Sequence, residues 1–381
     1  MTENVKENTP IIRVKELEKY FLAKRGYIHM SQYVKAVDGI SLDVMEGETV
    51  GLVGESGCGK STLGRTIMKI YEPNYYDADK VYLEDITVKF IDDATAAVSA
   101  YKTNEVDFAT NLPAYVMSEY QGKSDLVLQP NITTRFILFN VTKAPFNNDK
   151  VRRAISMALS RAEICKTVGD DYEASTQFIA KYMLSNLGTG KKFSDESGEM
   201  VTEDIAKAKS LLAEAGYPNG AGFPTVTYNY PNNEQDKLIA QAIQAQLKSA
   251  LNINVELNGM ESQVCVSERK SGNFDMTRHN WTADYDDAMD YLLMWTSTSG
   301  LNDAGIKDAD YDKLCEDATA ELDETKRNTI MHDAEKLLVT DKAYVAPLAT
   351  NKTICLLNPK YTGYSFDSAG QILLKFIKAA E

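Results

Sequence analysis

The sequence predicts an α/β protein made of two unlike parts that join near residue 73. In the first part, a glycine-rich loop lies between a short apolar strand and a helix. Strand-like and helix-like segments then alternate through the rest of the chain. The whole excess of negative charge falls in that second part.

Length and composition limit the class of protein. The chain has 381 residues, enough for two or three domains, and 44% hydrophobic with 25% charged residues is ordinary for a globular protein. The five cysteines form no Cys-x-x-Cys pair, and the three histidines lie far apart. Neither a disulfide framework nor a zinc site is expected.

The charge distribution bears on partners and location. Residues 1–73 hold ten basic and ten acidic groups, which leaves 31 basic and 45 acidic groups for the remainder. This acidic part argues against a nucleic-acid partner and suits a solvated surface or cationic ligands. No apolar run is long enough to span a membrane and the N-terminus has no secretion-signal core, so a cytoplasmic chain is expected.

The first part contains the sharpest motif. Residues 11–21 and 34–44 alternate apolar and polar side chains, which predicts two strands, and 48–54 predicts a short buried strand. The segment GESGCGKST, residues 54–62, then fits G-x-x-x-x-G-K-[ST] and leads into a helix.

This spacing suits phosphate binding. Gly54, Gly57 and Gly59 allow the backbone to turn its N–H groups toward phosphate oxygens. Lys60 can reach the β- and γ-phosphates, and the Ser61 hydroxyl can coordinate Mg²⁺. The alternative is a glycine-rich strand-to-helix turn without a ligand.

The stretch VKAVDGISLDVMEGETVGLVGESGCGKSTLGRTI resembles the start of the ATP-binding subunit of oligopeptide and dipeptide ABC importers, over residues 11–73. The resemblance implies ATP and Mg²⁺ as ligands and places Phe21 under the adenine, although Phe21 could equally pack within the sheet. The residues implied to bind nucleotide are Gly54, Ser56, Gly57, Cys58, Gly59, Lys60, Ser61 and Thr62.

The remaining motifs of that family are missing from the second part. Residues 74–381 contain no glutamine loop, LSGGQ-type signature, Asp-Glu strand end or switch histidine. Those motifs position the attacking water and stabilise the transition state. The first part is therefore expected to be a truncated P-loop NTPase fragment that does not hydrolyse ATP.

The second part predicts alternating elements. Residues 238–251 show the clearest helix, with Ile239, Ile243, Leu247 and Leu251 recurring every four positions. The helix 321–338 is expected to bury Leu322, Ile330, Ala334 and Leu337. The other predicted helices are 94–103 and 150–168, and the predicted strands are 85–92, 106–110, 133–141, 225–230 and 254–260.

Several stretches here resemble the solute-binding proteins of peptide ABC importers, among them PNYYDADKVYLEDITVKFIDD and RFILFNVTKAPFNNDKVRRAISMALSR. The resemblance implies a two-lobed, class II periplasmic-binding-protein-like fold with an incomplete first lobe. Its expected divisions are residues 1–73 for the ATPase fragment, 74–137 with 350–381 for the first lobe, and 138–349 for the second lobe.

The same resemblance implies a ligand site in the motif W-x-A-D-Y. Asp284 would pair with the α-ammonium of a bound peptide, Trp281 would form the pocket wall, and Tyr285 would assist. The alternative is that Asp284 caps the helix that follows. An acid-rich helix start, rather than a calcium loop, is expected for Asp286, Asp287 and Asp290.

Three hypotheses of function follow. The first is a peptide-binding component of an ABC import system, with short free-amine peptides and permease subunits as partners and an extracytoplasmic, membrane-associated family setting. The second is an ATP-binding or ATPase subunit, which depends on residues 54–62 alone. The third is a fusion in which neither half works. Peptide versus nickel as the solute stays open, and no hydrolytic triad is evident.

Overall fold

The computed structural model describes residues 12–24, 32–44, 81–83, 86–91, 93–169, 171–185, 187, 190–366 and 372–380. The predicted strand 48–54 and the phosphate loop 54–62 lie outside these residues. The chain divides into two units, Met1–Asp85 and Ile86–Glu381.

Within the first unit, strands β1 (Ile12–Lys24) and β2 (Gln32–Val44) form an antiparallel pair. Alternation along both strands buries Val14 and Val37 while adjacent side chains stay exposed or half-buried. The two predicted strands are confirmed, and both are longer than the pattern indicated.

The second unit alternates helices and strands, which confirms the α/β prediction. In chain order its elements are α1 (Ala94–Lys102), β3 (Phe108–Ala109), α2 (Tyr115–Glu119), β4 (Leu126–Phe139), α3 (Asp149–Ala158), α4 (Arg161–Val168), β5 (Tyr172–Ala174), α5 (Phe193–Ser197), α6 (Ile205–Glu214), β6 (Val226–Pro231), α7 (Glu234–Leu251), β7 (Val255–Met260), α8 (Ser262–Lys270), β8 (Met276–Thr282), α9 (Met289–Leu292), α10 (Ala309–Ala320), α11 (Glu324–Lys336), β9 (Val345–Leu357), β10 (Tyr361–Thr362) and β11 (Lys378–Ala379).

One mixed sheet organises this unit. Its strand order is β3-β9-β4-β8-β6-β7, with β5 also paired to β9. The long strands β4 and β9 run antiparallel, whereas β6 is parallel to both β7 and β8. Helix α7 connects β6 to β7, because parallel neighbours need a crossover between them.

Strand β4 separates two layers of core, since successive side chains of a strand point to opposite faces. Ile137 and Phe139 pack in the layer that contains helices α3, α4, α6 and α7. Phe136 and Leu138 pack in the other layer, which contains residues from α9, α10 and α11. A smaller cluster joins α1 and α2 to the β3 end of the sheet.

Two predicted elements are wrong in extent or kind. Residues 86–91 form no strand and Phe90 is 95% exposed, because no strand among the described residues pairs with this segment. The predicted helix 150–168 is two helices that break at Leu159, which has extended dihedrals. Here the amide of Ser160 donates to Gln246 Oε1 at 2.8 Å instead of continuing the helix.

The buried stripe predicted for 321–338 is wrong at its first residue. Leu322 is 93% exposed, because helix α11 begins only after Asp323, whose side chain accepts from the Lys326 amide at 3.0 Å. Across the part of the chain that the structure describes, no helix is both long and apolar enough to span a bilayer.

Candidate functional site

A cleft of about 480 Å³ opens over strands β4, β8 and β9 of the second unit. Eight of its twelve lining residues are threonine or asparagine, and Arg135 is the charged residue among them. The lining residues are Phe108, Thr110, Asn111, Asn131, Thr133, Arg135, Asn280, Thr282, Asn351, Thr353, Phe366 and Ile372.

Hydrogen bonds between neighbouring strands hold several side chains of the cleft lining in place. Thr133 and Thr282 lie opposite each other on β4 and β8, and their hydroxyl oxygens are 2.7 Å apart. Asn131 donates to Thr353 Oγ1 of β9 at 3.4 Å and accepts from the Thr133 amide at 3.0 Å. Hydroxyl and amide groups both donate and accept, so this lining can pair with the neutral amides of a polar ligand.

A buried group of charged residues adjoins the cleft through Arg135. Asp236 Oδ1 accepts from Arg135 Nη1 at 3.1 Å and from Arg278 Nε at 3.0 Å, and the Asp236 side chain is 2% exposed. Arg278 also donates to Asn280 Oδ1 at 2.5 Å. Burial, followed by the neighbouring Arg135, lowers the pKa of Arg278. Because two cations share one carboxylate, this group carries a net positive charge beside the cleft.

The predicted ligand residues Trp281, Asp284 and Tyr285 flank the cleft without lining it. Trp281 is half-buried near the end of β8, and Thr282, which follows it, lines the cleft. Asp284 lies two residues beyond Thr282 with an exposed side chain, and Tyr285 is also exposed. Burial, followed by Asp290, raises the pKa of the Tyr285 hydroxyl.

Two other aspartates perform the structural roles near this motif. Asp287, not Asp284, accepts from the Met289 amide at the start of α9, at 2.8 Å, and also pairs with Arg327 at 3.0 Å. Asp290 is buried and accepts from Trp281 Nε1 at 2.7 Å and from the Asp284 amide at 3.1 Å. The capping alternative for Asp284 is therefore wrong.

The predicted nucleotide residues receive no structural account. The loop residues Gly54–Thr62, including Lys60 and Ser61, lie outside the described residues, and Phe21 is placed only as a backbone position of β1 opposite Val34. Within the described ranges, no group of three His, Cys, Asp or Glu side chains could hold a metal ion.

The residues that line the cleft were not predicted from the sequence, although a signal was present. Thr133 and Arg135 lie two positions apart in the predicted strand 133–141, and Asn280 and Thr282 lie on either side of Trp281 in β8. Polar residues at every second position of a strand indicate one polar face. The pattern alone did not reveal that these two faces are adjacent.

Comparison with known proteins agrees with this fold. The dipeptide-binding protein DppE of Bacillus subtilis is 29% identical over 304 residues, covering 79% of this chain and 55% of DppE. The probable deoxycholate-binding periplasmic protein YgiS of Escherichia coli is 30% identical over 298 residues, covering 77% of this chain and 54% of YgiS. The structure of the oligopeptide-binding protein OppAIV of Borrelia burgdorferi superposes with a TM-score of 0.66 at 27% identity, covering 80% of this chain and 60% of OppAIV.

The chain thus spans about half the length of the curated relatives it matches. The structural likeness to OppAIV supports the expected two-lobed, periplasmic-binding-protein-like architecture. The lobe boundaries and the ATP-binding resemblance of residues 11–73 stay predictions. Residues 70–303 match the bacterial extracellular solute-binding proteins, family 5, middle region, a description that gives no support to a cytoplasmic location. The chain belongs to family 5 of the bacterial extracellular solute-binding proteins.

Proposed function

We propose that this chain is the peptide-binding part of an ABC import system that works outside the cytoplasm with permease subunits. The observation that supports it most is the cleft, whose eight threonine and asparagine side chains suit the amide groups of a peptide backbone. The family membership and the names of the relatives DppE and OppAIV point to the same ligand class.

The charges around the cleft suit a short peptide with free ends. Asp284 lies just beyond Thr282 and offers a carboxylate to the α-ammonium group. Arg135 is the charged residue of the lining, and its side chain is 16% exposed while its Nη1 pairs with Asp236. A carboxylate of the ligand can pair there, because hydrogen bonds between ionised groups are stronger than neutral ones.

Calorimetric titration with di- to hexapeptides tests the proposal. We expect Asp284→Asn and N-acetylation of the peptide each to weaken binding by about 10- to 100-fold, since a hydrogen bond to a charged group contributes about 1.5–3 kcal/mol. Asp333→Asn, at an exposed aspartate of α11, is the matched control and should leave the affinity unchanged.

Three results would contradict the proposal or its amine site. Equal affinity of Asp284→Asn and wild type for free-amine peptides would show that the amine is recognised elsewhere. Binding of deoxycholate without binding of any peptide would place the chain nearer to the function that the name of YgiS describes. Binding of no ligand at all would favour the hypothesis of a fusion that does not work.

We propose further that residues 54–62 hold the phosphates of ATP with Mg²⁺ on Ser61. The motif GESGCGKST favours this function, because its glycines, lysine and serine have the spacing that phosphate binding requires. Binding of Mg²⁺-ATP that is lost in Lys60→Ala tests it, and hydrolysis is not expected.

A further inference from the structure

Asp290 holds together the segment that presents Asp284. It is 8% exposed at the second position of α9, and its Oδ2 accepts both from the Trp281 indole at 2.7 Å and from the Asp284 amide at 3.1 Å. One oxygen thus joins the end of β8 to the backbone from which the Asp284 side chain projects.

The residues around Asp290 anchor the same segment. The amide of Ala283 donates to Ile132 O at 3.3 Å, and the hydroxyl of the buried Tyr291 donates to the same carbonyl. Ile132 immediately precedes Thr133 of the cleft lining, so this turn is tied to β4 on both sides of Asp284. Asp290 supplies the carboxylate in that set of contacts.

The charge of Asp290 adds to that of Asp284. Both donors to Asp290 are neutral N–H groups, so no cation in these contacts cancels its charge. Asp287, by contrast, is paired with Arg327. A buried carboxylate acts through a lower dielectric than an exposed one, so its field reaches further than that of a surface aspartate.

We propose that Asp290 is a positioning residue for amine recognition: it orients Trp281 and the Asp284 backbone and strengthens the negative potential that a ligand ammonium meets. This inference depends on the proposed peptide function. It assigns the discrimination between free and blocked amines to a pair of aspartates, one exposed and one buried.

The experiment measures the ratio of affinities for a peptide with a free amine and for the same peptide N-acetylated. In the full chain, we expect Asp290→Ala to lower this ratio by about tenfold, in the same direction as Asp284→Asn, while the affinity for the acetylated peptide changes little. Asp290→Asn keeps an oxygen that can accept from both N–H groups but loses the charge. Its affinity ratio should therefore lie between those of wild type and Asp290→Ala. Asp333→Ala, at the exposed aspartate of α11, is the control.

The ratio distinguishes positioning from a general loss of stability, which would weaken both peptides alike. If Asp290→Ala is too unstable to measure, a ratio in Asp290→Asn equal to that of wild type overturns the proposal. Loss of discrimination in Asp284→Asn with full retention in both Asp290 variants overturns it while the peptide function stands. A wild type that does not distinguish the two peptides overturns the proposal together with the amine site.

Discussion

Glu335 places a carboxyl group in the interior of the second unit. It lies fully buried on α11, and its Oε1 accepts from the amides of Phe178 and Ile179 at 2.8 Å each. Burial raises the pKa of Glu335 to about 7, although these two hydrogen bonds lower it in part. The group therefore titrates in the neutral range while it ties the segment after β5 to helix α11.

The titration of Glu335 predicts a pH-dependent stability. Because its folded-state pKa exceeds the unfolded value of about 4.3, its contribution is complete below that value and is lost as pH rises through 7. We expect the free energy of unfolding of wild type, relative to Glu335→Gln, to fall between pH 5 and pH 8 by up to about 3 kcal/mol. Urea denaturation at several pH values measures this difference.

The control for this prediction is Glu324→Gln, at an exposed position of the same helix. It should follow the pH dependence of wild type. Parallel pH profiles for wild type and Glu335→Gln would show that the buried carboxyl does not titrate in this range.

At the scale of elements, helix α7 connects the core to the cleft. Its apolar stripe was predicted from residue 238, but the helix begins at Glu234 because Asn233 caps it. Asn233 Oδ1 accepts from the Asp236 amide at 2.9 Å, and its Nδ2 donates to Asp236 Oδ2 at 2.8 Å. The same Asp236 holds Arg135 and Arg278, so the cap also orients the charged group beside the cleft.

Asn233→Ala is expected to lower the free energy of unfolding by about 1 kcal/mol, the usual effect of removing a helix cap. Asn232→Ala changes the preceding exposed asparagine, which does not cap the helix, and should cost less than about 0.5 kcal/mol. Chemical denaturation of the two variants measures the difference. Equal losses would mean that the cap contributes nothing beyond the neighbouring loop.

At the scale of the whole molecule, the two units predict two independent ligands. The candidate cleft is lined entirely by residues of Ile86–Glu381, whereas residues 54–62 belong to Met1–Asp85. A ligand stabilises the unit that binds it, by about 2.7 kcal/mol at 100 times its dissociation constant. We expect Lys60→Ala to abolish the rise in melting temperature caused by Mg²⁺-ATP and to keep the rise caused by peptide. Asp284→Asn should abolish the rise caused by peptide and keep the rise caused by Mg²⁺-ATP.

Differential scanning calorimetry of the two variants with each ligand measures these shifts. Loss of both shifts in a single variant would contradict independent sites. A shift by peptide with none by Mg²⁺-ATP in wild type would overturn the nucleotide proposal alone.

The class of fold, most of the regular elements and the family resemblance of the second unit could be predicted from the sequence alone. Hydrophobic periodicity is a local property, so the stripe from Ile239 to Leu251 was enough to predict α7. The tertiary structure decided where elements end, as at Ser160, whose amide is bound by Gln246 from another helix. It also decided that residues 86–91 form no strand, since a strand requires a partner.

The cleft was likewise decided only by tertiary structure. Thr110, Arg135, Asn280 and Thr353 are far apart in the chain. The pairing of β4 with β8 and β9 brings the last three together, and Thr110 follows β3, which pairs with β9. The sequence marked Asp290 only as part of an acid-rich helix start, whereas packing places it beneath Trp281 and Asp284. The physical reason is that periodicity specifies which face of an element is polar, while strand order and register specify which polar faces meet.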